Sequence, residues 1–97
     1  MNAQDLTVGG TLPNGATVLA WAVFSEDDMI ILANLRGDFV TWIANPADLR
    51  TTCHGHYFGS DRAAAVVAFG ERIESRLCYI RDNCTSYHTE GESPVGV

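Results

Sequence analysis

The sequence has no lysine. Its six basic residues are all arginine, set against 12 acidic residues, for a formal net charge of −6. Arg36, Arg50, Arg62, Arg72, Arg76 and Arg81 are scattered along the chain. Nucleic-acid binding needs clustered positive charge to displace counterions, so direct contact with DNA or RNA is not expected. No apolar run approaches the roughly 20 residues that span a bilayer, so no membrane partner is expected either. Met1 to Asp5 lacks a basic start and an apolar stretch, which argues against a signal peptide and for a cytoplasmic location. Cysteine is scarce and odd in number: Cys53, Cys78 and Cys84 cannot form a complete disulfide framework, and free thiols are expected. The glycine-rich phosphate loop, the dinucleotide fingerprint, the nucleophile elbow and the H-E-x-x-H zinc helix are all missing, so neither an enzyme nor a cofactor is expected.

What is present is enough for one small folded domain. Hydrophobic residues make up 46% of the chain and mean hydropathy is +0.02, too apolar for a disordered segment. Residues 1–82 read as a single α+β domain, and 83–97 as a polar, flexible tail with Gly91, Pro94 and Gly96.

Within the domain, Leu12-Pro13-Asn14-Gly15 is a turn signal. Leu6 to Thr11 before it suits a short edge strand weakened by Gly9-Gly10. Four strands follow: Thr17 to Phe24, Met29 to Leu35, Phe39 to Ala44 and Thr51 to Phe58. Between them lie Ser25-Glu26-Asp27-Asp28, Arg36-Gly37-Asp38 and Asn45-Pro46-Ala47-Asp48, each short enough for antiparallel pairing. Gly55 marks a bulge or a close approach in the fourth strand. Ser60 is the expected N-cap of a helix that starts near Arg62 and ends near Arg81. Val66, Phe69, Ile73, Leu77 and Ile80 form its apolar stripe, with Arg62, Glu71, Arg72, Glu74 and Ser75 largely away from it. The expected fold is an antiparallel meander of four to five strands with this C-terminal helix packed on one face.

Such a sheet should show water a polar face. Here both faces are apolar. Val18, Ala20, Ala22 and Phe24 alternate with Leu19, Trp21 and Val23. Met29, Ile31, Ala33 and Leu35 alternate with Ile30 and Leu32, and Phe39, Thr41 and Ile43 with Val40, Trp42 and Ala44. One helix cannot cover both. A homodimer, a half-barrel, or a protein or ligand docked on the open face would resolve the surplus. Trp21, Trp42 and Tyr57 are the expected anchors, because aromatic side chains dominate interface energetics.

Two polar clusters stand out. Glu26-Asp27-Asp28 is the only dense acidic run and suits a turn, or a surface that competes with nucleic acid for a basic partner. Cys53-His54-Gly55-His56 puts two imidazoles on one side of a strand, and Cys84 with His88 would complete a four-ligand zinc site. That spacing matches no zinc-finger signature, so polar surface histidines with a small core cysteine are the favoured reading and no metal is expected. Cys53 and His54 are strand neighbours, which alternation points to opposite faces, so a thiol–imidazole couple is not expected.

Leu12-Pro13-Asn14-Gly15-Ala16, Phe39-Val40-Thr41-Trp42 and Gly55-His56-Tyr57-Phe58, followed by an alanine-rich helix with Phe69 and Arg72, together resemble a group of small uncharacterised proteins of bacteria and their phages. The resemblance covers roughly residues 8–73 and brings no catalytic residue with it. It implies a context in which small acidic proteins bind host proteins, as inhibitors of CRISPR or restriction systems do. The resulting expectation is a non-enzymatic interaction module that binds a host protein or itself through an apolar sheet face. The alternative is a small metal- or ligand-binding domain using His54 and His56.

Overall fold

A computed structural model describes residues 1–83. Four strands, β1 (Thr17–Ser25), β2 (Asp28–Leu35), β3 (Asp38–Asn45) and β4 (Asp48–Tyr57), form one antiparallel sheet in the order β1-β2-β3-β4, and one helix, α1 (Arg62–Asn83), follows. The fold is the expected α+β meander with its C-terminal helix against the sheet. The hairpins close as their chemistry dictates. Arg36 and Gly37 lie at φ 54° and 90°, the mirror-image turn that matches strand twist. At the β3–β4 turn the Asn45 side chain accepts from the Ala47 amide at 2.8 Å. The N-cap lies one residue later than the sequence suggests: Asp61, not Ser60, accepts from the Ala64 amide at 3.0 Å.

The expected fifth strand does not form. Residues 1–16 instead make a strap that crosses one sheet face from edge to edge. Met1 O accepts from the Leu49 amide of β4 at 3.0 Å, and the Ala3 amide donates to Pro46 O at 2.7 Å. At the other edge Gly9 N donates to Val18 O at 2.7 Å and Val18 N to Gly10 O at 2.8 Å. Apart from a single turn of 3-10 helix (Ala3–Asp5), capped reciprocally by Asn2 and Asp5, the strap has no regular structure. Its Leu6, Leu12 and Ala16 are buried together with Val18, Met29, Ile31, Val40, Trp42 and Leu49.

The opposite face carries α1. Thr41 is wholly buried there, and Arg72 of the helix donates to its hydroxyl at 2.9 Å and to its carbonyl at 3.1 Å. Arg76 pairs with Asp28 at 2.8 Å. These two arginines fix the rotation of the helix. Ala65, Ala68, Arg72 and Arg76 face the sheet, while of the apolar stripe that the sequence points inward Phe69, Ile73 and Ile80 are only partly buried and Val66 and Leu77 are about half exposed. Val66, Ile73 and Leu77 each follow a sheet-facing residue by one position, about a quarter turn of helix.

Candidate functional site

The sheet face expected to be open is closed by the strap. Trp42 is only 4% exposed, within the core cluster, and Trp21 is partly buried against it. A shift of register between Val18 and Ala20 puts Val18 and Trp21 on the same side, against simple alternation. Tyr57 stays 55% exposed at the β4 edge, but its ring packs edge-on against Trp42 at 6.2 Å and its hydroxyl accepts from Trp42 Nε1 at 3.3 Å. Gly55 makes room for this pair. A Cβ there would stand 2.7 Å from Tyr57 Cε1 and 2.9 Å from Trp42 Nε1. The three aromatics therefore do not form a free patch; Trp42 is a core residue, Trp21 packs partly buried against the core, and Tyr57 forms the rim.

The acidic run is also divided. Glu26 and Asp27 are exposed at the β1–β2 turn, while Asp28 is partly buried and committed to Arg76. A shallow cleft of about 630 Å³ next to this turn separates the start of the strap from the hairpin ends; Val23 and Pro46 are among its lining.

The β4 edge carries the chemistry. Between Thr41↔His56 and Ile43↔Cys53, β4 takes three steps where β3 takes two. His54 lies in the bulge at φ 52°, a left-handed conformation that costs a side-chain-bearing residue about 1–2 kcal/mol. This cancels the alternation that should separate the neighbours: His54 Nδ1 stands 3.2 Å from Cys53 Sγ, with both side chains exposed. The expectation of no thiol–imidazole couple is overturned by that extra residue. Arg72 is the nearby cation. Burial lowers its pKa, and charge on Cys53 pushes it back up.

His56 and Ile43 line a groove of about 390 Å³ between the sheet and α1, together with Glu71, Arg72, Arg76 and Tyr79. Among the described residues no group of three His, Cys, Asp or Glu side chains could hold a metal ion. Cys84 and His88, the other half of the zinc site considered above, lie outside the described residues.

The remaining surface of interest is the displaced helix stripe. Val66 is 46%, Leu77 51% and the adjacent Val67 59% exposed, and Ile73 and Ile80 are partly buried. A dip of about 340 Å³ lies along it, floored at Gly70 and bordered by Ile73, Glu74, Leu77, Cys78 and Arg81. The sequence assigns the whole stripe to the core, whereas Phe69, Ile73 and Ile80 are partly buried and Val66 and Leu77 are exposed. Arg72 and Arg76, four apart on the same side as Ala65 and Ala68, are the signal that would have placed Val66 and Leu77 outside. No helix among the described residues is long and apolar enough to cross a membrane.

No protein-family model, no curated protein and no solved structure matches this chain.

Proposed function

We propose that this chain is a small interaction module that associates with a second copy of itself through the outward stripe of α1. The observation that carries this is the exposure of Val66, Val67 and Leu77 on a helix whose sheet-facing side is held by arginines. The sheet face, the surface first expected to bind, is already covered within one copy.

The residue order favours a like partner. Ala63, Gly70 and Leu77 recur every seven positions, as do Val66, Ile73 and Ile80, which together make the seam of a coiled coil. In one antiparallel register Leu77 of each copy faces Val66 of the other, Ile73 faces Gly70, and Ile80 faces Ala63. Large residues then meet small ones, and the open space above Gly70 receives an isoleucine. The contact is isologous, as a two-fold dimer requires.

A seam one helix long is small beside the roughly 1,200–2,000 Å² of stable complexes. The dimer is accordingly expected to have a Kd on the order of micromolar or weaker. Sedimentation equilibrium over a concentration series should show a monomer–dimer equilibrium, and Leu77→Asp should leave only monomer with its melting temperature little changed. A wild-type chain that stays monomeric up to millimolar concentration would overturn the proposal. Binding of a host protein, as the phage resemblance implies, would use the same stripe, and Leu77→Asp should abolish it as well. The reading is of a binding protein, and no catalytic role forms part of it.

A further inference from the structure

The β4 bulge has produced something a regular strand cannot hold: a thiol and an imidazole from adjacent residues in contact. His54 Nδ1 and Cys53 Sγ are 3.2 Å apart, on an exposed edge that another molecule can reach. Ile43, the cross-strand neighbour of Cys53, lines the groove beneath α1 along with His56 and Arg72. Arg72, held in place by its two hydrogen bonds to Thr41, is close enough to Cys53 for their charges to interact. A base in contact and a fixed cation nearby are the surroundings in which a cysteine becomes a nucleophile. Cys78, by contrast, lies partly buried on α1.

We propose that Cys53 is a modification site that takes up small disulfides by thiol–disulfide exchange, with His54 as the proton acceptor. His54 Nδ1 takes the thiol proton and the Cys53 sulfur attacks one sulfur of the incoming disulfide. A new S–S bond forms as the old one breaks. The departing sulfur leaves with the electron pair and takes the proton back from the imidazolium. The products are a mixed disulfide on Cys53 and one free small thiol. The small disulfide is the only oxidant consumed.

The test uses the full chain carrying Cys78→Ser and Cys84→Ser, so that Cys53 is the only thiol. The probe is 5,5′-dithiobis(2-nitrobenzoate), an aromatic disulfide whose released thiol is coloured. At neutral pH the folded protein should react at least about fivefold faster than the same protein unfolded in urea, after correction for the effect of urea on a free thiol. That gain is modest beside the roughly 10²-fold that positioned bases contribute in enzymes. Adding His54→Asn should remove most of the gain, since asparagine tolerates the left-handed backbone but cannot take the proton. A folded rate no higher than the unfolded one overturns the proposal, and so does a folded His54→Asn protein that reacts as fast as its parent. Should His54→Asn fail to fold, the folded-to-unfolded ratio decides alone.

Discussion

The two sheet faces are closed by covers of opposite character. The strap has almost no regular structure, yet it buries Leu6, Leu12 and Ala16 into a continuous apolar core. The helix has 22 residues of regular structure, yet it is fastened by Arg72 to Thr41 and by Arg76 to Asp28, with a groove left beneath it. Regularity and burial are therefore separate properties of a cover. The irregular segment conforms to the sheet because each residue can choose its own backbone angles. The helix presents a fixed period, and once two long polar side chains set its rotation, its apolar stripe must go where that rotation takes it.

The sharpest way to break the comparison is to truncate one apolar residue on each cover. Leu12→Ala should cost about 3 kcal/mol in urea unfolding, because Leu12 is 2% exposed and leaves a cavity. Leu77→Ala should cost less than about 0.5 kcal/mol, since half of that side chain is already in water. Similar losses would mean that the helix stripe is buried after all. Next in size is Arg72→Met, which takes the donor from the buried Thr41 hydroxyl. It should cost about 1–3 kcal/mol, and nuclear magnetic resonance shifts should follow along α1 and β3 but not along the strap. Gly55→Ala should cost about 1–2 kcal/mol by pressing a methyl group against Tyr57 and Trp42, with its effect on the strap side alone.

The smallest effect belongs to Asp48. Its hydrogen bonds to Arg50 hold the carboxyl at about 2, below the ordinary 3.8. A lowered carboxyl contributes stability above its unfolded pKa and loses that contribution as pH falls through the folded one. Any stability gap between wild type and Asp48→Asn should therefore be full above about pH 5 and fade on acidification towards pH 2. Since the pair lies at the surface, added salt should shrink the gap further.

Alternation and turn chemistry were enough to place the four strands, the hairpins and the helix. The alternation within β2 and within β3 also came out correctly; the structure adds that Met29, Ile31 and Ala33 share one face with Val40, Trp42 and Ala44, while Thr41 faces α1. Three features escaped. The strap has no period for a pattern to reveal, and only Leu6, Leu12 and Ala16 hint that it must bury something. The β1 bulge escaped, and the β4 bulge, signalled by Gly55, puts its left-handed residue at His54 one position earlier; each inserts one residue, and a one-residue shift reverses every facing beyond it. The rotation of α1 depends on partners far away in sequence, Thr41 and Asp28, which hold two arginines against the sheet and leave Val66 and Leu77 of the stripe exposed.

The chain has two tryptophans, and both lie beneath the strap. Intrinsic fluorescence from this molecule is consequently one-sided. It follows the seating of the first sixteen residues and is nearly blind to the helix on the far side. If emission and far-ultraviolet dichroism are followed together during unfolding, the first channel times the strap's release and the second is weighted towards the helix. A gap between the two curves would give the order in which the covers come off, with no label attached.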